Sequence, residues 1–80
     1  MKEQTLLQDR RNIAVKLHDE LQFYIWEDHI DLPLSYTVTI NRKLVLLSFT
    51  KSNSIIEGCA TWENAKQKEE SLCLYGHISK

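Results

Sequence analysis

Residues that interrupt regular structure are scarce here: two glycines and one proline in 80 residues. So few breakers imply that helix and strand cover most of the chain. Two glycines also exclude a glycine-rich loop that would cradle a phosphate. Cys59 and Cys73 are too few for a disulfide scaffold, and neither belongs to a CxxC pair. They are expected to be reduced, mostly buried thiols. The longest aliphatic run is LVLL at 44–47, far short of the roughly 20 residues of a membrane span, so no membrane role is expected. The stretch MKEQTLLQDRR has no apolar segment of signal-peptide type, which makes the cytoplasm the expected compartment. There is no HExxH pattern and no glycine-rich nucleophile turn. The expectation is therefore a protein that is not an enzyme and carries no cofactor.

What is present is globular in character. Apolar residues make up 42% and charged residues 26%, and 80 residues suit one small α+β domain spanning residues 1–80. The net charge of -1 hides a polarity along the chain. Residues 17–33 hold Asp19, Glu20, Glu27, Asp28 and Asp31 and no Lys or Arg, whereas residues 34–56 hold Arg42, Lys43 and Lys51 and no acid. Such an asymmetry can orient a partner or a second copy of the chain.

The first element reads as a long helix from about Thr5 to about Asp28, with Thr5 and Gln8 as a capping box. Leu6, Ile13, Leu17, Leu21 and Tyr24 recur at helical spacing, with Leu7, Ala14 and Ile25 alongside, which makes one core-facing stripe. Arg10 falls inside that stripe and should snorkel to an edge or meet an acid. A second apolar set, Val15, Phe23, Trp26 and Ile30, lies elsewhere on the same helix and shares its side with Asn12 and Asp19. One stripe attaches a helix to a small domain; two ask for something on the other side. At about 1.5 Å per residue the helix would be roughly 36 Å long, more than the body of the domain needs. Its terminus carries Glu27, Asp28 and Asp31, where a helix dipole favours cations and each acid costs ~0.3–1 kcal/mol. Either the helix stops earlier, around Ile25, or the acids serve a surface role.

Pro33 marks the switch to extended chain. LSYTVTI, LVLLSFT (44–50) and SIIEGCAT (54–61) alternate as three half-buried strands. Pairing Ile40 with Val45, Val38 with Leu47 and Tyr36 with Phe49 puts the large side chains on one face, with Arg42-Lys43 as the turn. Phe49 with Ile56 and Leu47 with Gly58 continue that face through a turn at Ser52-Asn53. TWENAKQKEESLCLY then reads as a C-terminal helix capped by Thr61 and stopped by Gly76. The predicted order is αβββα, with both helices on one face of a three-stranded antiparallel meander. The alternative ends the last helix near Ser71 and makes LCLYGHIS a fourth strand.

Two chemical readings deserve weighing. In EDHID, Glu27 and Asp31 are four residues apart, but His29 points about 160° from Glu27 on a helix, so the metal reading is weak and no metal is expected. The order helix, three strands, helix resembles the double-stranded RNA-binding domain over roughly residues 15–75, and EGCATWENAKQKEESL resembles that family's junction of third strand and last helix. The resemblance implies a nucleic-acid partner gripped by lysines at the start of the last helix. Here that place holds Trp62, Glu63 and Asn64, and the basic residues arrive only at Lys66 and Lys68.

Partner binding accounts for more residues. Phe23, Tyr24 and Trp26 sit within four positions, and aromatics are enriched at interface hot spots. The expected contact surface is Val15, Phe23, Trp26 and Ile30, rimmed by Asp19, Glu27, Asp28 and Asp31. The occupant is another protein or a second copy of the chain forming a homodimer. By analogy of size and composition alone, the chain suits a stand-alone inhibitor or adaptor, such as a phage or mobile-element protein.

Overall fold

A computed structural model describes residues 2–27 and 29–78, with side chains from residue 8 onward. The elements are α1 (Lys2–Trp26), β1 (Leu34–Ile40), β2 (Lys43–Ser52), β3 (Ile55–Glu63) and β4 (Glu69–His77). The four strands form one antiparallel sheet in the order β1-β2-β3-β4, so every strand pairs with its neighbour in sequence. The helix lies across one face, chiefly over β3 and β4. This is a small α+β arrangement of two layers.

The expected C-terminal helix is absent. Residues 64–68 form a tight turn and residues 69–77 form β4. The run of helix-favouring residues Ala65, Lys66, Gln67, Lys68, Glu69 and Glu70 is overridden by one asparagine and one alternation. Asn64 Oδ1 accepts from the backbone N–H of Lys66 (2.9 Å) and Lys68 (3.0 Å), while its Nδ2 donates to Glu70 (2.7 Å). Gln67 completes the turn at φ 62°. Beyond it, Leu72, Leu74 and Gly76 face the helix while Ser71, Cys73 and Tyr75 face outward. Period two places a β-strand there, which is the fourth-strand alternative. With it goes the topological basis of the double-stranded RNA-binding resemblance.

The helix begins at Lys2, earlier than Thr5, so Thr5 sits within it and is no cap. The helix ends at Trp26, close to the earlier of the two stops argued from the acids. Ile13, Leu17, Leu21 and Tyr24 are buried as its stripe predicts, and Ile25 is partly covered. Leu6 and Leu7 lie outside the residues whose side chains are described. Opposite the stripe stand Val45, Leu47, Phe49, Ile56, Ala60 and Trp62, all buried. Each fully buried aliphatic side chain contributes roughly 1.5–3 kcal/mol. Arg10 does meet an acid: its guanidinium pairs with Glu70 at 3.3 Å and stands 5.6 Å from the centre of the Trp62 ring.

The strand faces are as expected, but the register is displaced by two residues. Val38 faces Val45 and Tyr36 faces Leu47, and Phe49 faces Gly58. The turns are Asn41-Arg42 and Asn53-Ser54. Asn41 and Arg42 have φ of 51° and 64°, and Asn53 has φ 58°. Two-residue hairpin loops need such left-handed positions, and asparagine tolerates them best after glycine. A displacement by two keeps every side chain on its face, so the facing pattern alone does not distinguish the two registers.

Candidate functional site

The helix has a second face, and none of the described residues covers it. Val15, Asp19 and Phe23 follow one another at intervals of four, and Trp26 stands one turn beyond Phe23, so all four lie on one side. Trp26 is 82% exposed, Val15 56% and Phe23 52%. Phe23 is steadied from below by an edge-on contact with the buried Tyr24 ring, with centroids 5.3 Å apart. Among the described residues, no second layer lies over Trp26.

The acids of this region fall around that apolar strip. Asp19 is exposed beside Phe23 and lies 3.8 Å from His18. Glu27 is half-buried and faces His29 at 3.6 Å, and Asp31 is exposed. Asp28 lies outside the described residues. Ile30 departs from expectation: it is partly buried and packs against the edge of the core, because the chain has already left helical geometry there. The surface gathered by the fold is thus Val15, Asp19, Phe23 and Trp26, with Glu27 and Asp31 at one end.

The flank of the helix toward β1 carries a polar chain that sequence spacing did not reveal. Lys16 pairs with Glu20 at 3.5 Å. Glu20 accepts a hydrogen bond from the Tyr36 hydroxyl, which in turn accepts from the Tyr24 hydroxyl at 3.2 Å. Burial, and then the Glu20 carboxylate beside it, push the Tyr36 phenol well above its ordinary pKa. This is a structural latch between helix and sheet: it holds Tyr24, and through Tyr24 it supports Phe23. Near the start of the helix, buried Asp9 accepts from Asn41 Nδ2 at 3.3 Å, tying the first hairpin turn to the helix.

The outer face of the sheet is mixed, as its threonines and serines suggest. Leu44 and Leu46 are exposed on it. They border an open depression of about 230 Å³ with Thr37, Thr61, Trp62, Glu63 and Glu69. Cys59 and Cys73 also lie on this face, directly opposite one another on β3 and β4, and are joined as a disulfide. This corrects the expectation of reduced, buried thiols: Cys59 is half-buried and Cys73 exposed. The signal for it needed β4, since only that strand brings position 73 beside position 59.

Among the described residues, EDHID forms no group of three potential ligands close enough to share an ion; such a group is found instead at Glu57, Cys59 and Cys73. Among the described residues, no helix is long and apolar enough to cross a membrane. Comparison with protein families, with curated proteins and with solved structures finds no match.

Proposed function

We propose that the chain is a non-enzymatic protein-binding module, an inhibitor or adaptor by role, that docks a partner on the outer face of α1. The observation that carries this reading is Trp26, a large aromatic left 82% exposed on a helix whose opposite face already packs into the core. Burying such a ring at an interface centre is a common source of hot-spot energy. The rim of Asp19, Glu27 and Asp31 supports a partner with basic residues around an apolar centre. A homodimer through the same patch is the less favoured occupant, since a two-fold contact sets each acidic rim against its own copy. A nucleic acid is disfavoured for the same reason of charge. The cytoplasm remains the proposed compartment, in which the Cys59–Cys73 pair would be held mainly as thiols.

Light scattering of the free protein and of Trp26→Glu, with circular dichroism as the control for folding, tests the proposal. The expected result is a monomer in both cases, with unchanged secondary structure and loss of partner capture in the variant. A dimer that dissociates on Trp26→Glu would transfer the patch to self-association. Unfolding of Trp26→Ala would make the residue part of the core and end the proposal.

A further inference from the structure

Cys59 and Cys73 occupy one cross-strand position, with Cα atoms 4.1 Å apart. That is the narrow, non-hydrogen-bonded kind of antiparallel pair, in which side chains stand close and parallel. Glu57 precedes Cys59 by two residues and so shares its face, and its carboxylate and the two sulfurs all lie within 4.8 Å of one another. Across from Glu57 stands Tyr75. A carboxylate acceptor thus stands beside two sulfurs that become thiols, and metal-binding thiolates once a cation displaces their protons, when the disulfide is opened.

We infer that Glu57, Cys59 and Cys73 form a redox-gated site for a thiophilic divalent cation of the zinc type. The disulfide is the closed state. A dithiol reductant supplies two electrons and two protons: the S–S bond breaks, two thiols form, and the reductant leaves as its own disulfide. The cation then displaces both thiol protons, forming two metal–sulfur bonds and one metal–oxygen bond to Glu57, with the fourth position taken by water. Two thiolates bound at about 2.3 Å to one tetrahedral zinc sit about 3.8 Å apart. Rotation of the cysteine side chains reaches that spacing from a cross-strand pair without moving either strand. Two soft sulfurs with one carboxylate select zinc or cobalt over magnesium or calcium. This site is on the sheet face away from the helix and is independent of the partner-binding reading.

The test uses the reduced full chain in the absence of oxygen, with Co²⁺ as the spectroscopic probe and a chromophoric chelator competing for Zn²⁺. The expected result is one ion per chain, a thiolate-to-cobalt charge-transfer band, and two protons released per zinc. The oxidised chain should show none of these. Cys73→Ser should weaken zinc binding about 100-fold or more and Glu57→Gln about tenfold, the loss scaling with the ligand removed. No thiolate band in the reduced, folded chain, or an undiminished band in Cys73→Ser, would overturn the site; unchanged affinity in Glu57→Gln would overturn its third ligand. Should reduction unfold the chain, zinc must restore its circular dichroism, and failure to do so counts equally against the proposal.

Discussion

At the scale of single residues, the two glycines divide the labour of helix packing. A Cβ placed on Gly58 would meet Cε1 of Phe49 at 2.7 Å and Cδ1 at 2.9 Å. That ring is buried and wedged against Tyr24, with centroids 4.7 Å apart, so it has nowhere to go. A Cβ on Gly76 meets first the Cδ1 tip of Ile25, the free end of a partly exposed side chain that can turn aside. Gly58→Ala is therefore expected to cost about 1–3 kcal/mol. Gly76→Ala should lie close to neutral, since the loss of chain entropy in the unfolded state offsets a small shift. Urea unfolding of both variants compares them, and equal losses would refute the argument. Tyr36 makes a second prediction at this scale. Its folded pKa is raised above the unfolded value of about 10, so the folded chain holds the proton more tightly. The stability from this hydroxyl is full below about pH 10 and drains away as pH rises above it. Tyr36→Phe should be less stable at neutral pH by about 1–3 kcal/mol. It should also lose less on going from about pH 9 to about pH 11, as read from urea midpoints at each pH.

Hairpins and helix ends set the outcome at the scale of elements. Arg42 sits at φ 64° in the first turn, a left-handed geometry that costs a side-chain-bearing residue about 1 kcal/mol. It is exposed, and Asn-Gly is the pair such turns prefer. Arg42→Gly should accordingly raise the stability by roughly 0.5–1 kcal/mol in the same unfolding measurement; a loss would mean that the turn is of another type. The faces of α1, β1, β2 and β3 were legible from spacing alone, because burial of Ile13, Leu17, Leu21, Val45 and Leu47 imposes a period. Register was not, since two registers separated by two residues bury the same side chains. The decisive information lay in Asn41 and Asn53, whose tolerance of positive φ places the turns. β4 was misread because AKQKEE has strong helical preference locally, while the competing signal at Leu72, Leu74 and Gly76 is short. The site fared similarly. Val15, Phe23 and Trp26 were recognisable as a second stripe, but the inward turn of Ile30 depends on where the helix ends.

For the molecule as a whole, the disulfide is a clasp on the last pair of strands. Its loop spans a sequence separation of 14 residues, for which the chain-entropy argument gives about 3 kcal/mol of stabilisation. Reduction, or Cys59→Ser with Cys73→Ser, should lower unfolding stability by about that amount, detectable as a shift of the urea midpoint with and without reductant. An unshifted midpoint would mean that β3 and β4 are already held together in the unfolded ensemble. The elongated shape, with extents of 45 × 17 × 17 Å, follows from the 25-residue helix, which sets the long dimension. A slender body of this kind exposes much of its helix, which is why the outer stripe is available at all.

The placement of the helix over β3 and β4 has a consequence for synthesis on the ribosome. The helix is made first, yet the strands that cover Ile13, Leu17 and Leu21 are made last. Leu21 waits for Gly76, 55 residues downstream, which at about 5–20 residues per second is roughly 3–11 s of translation. Throughout that interval both faces of the nascent helix are bare, and a chaperone or a neighbouring nascent chain would meet the greasy inner stripe before the sheet does.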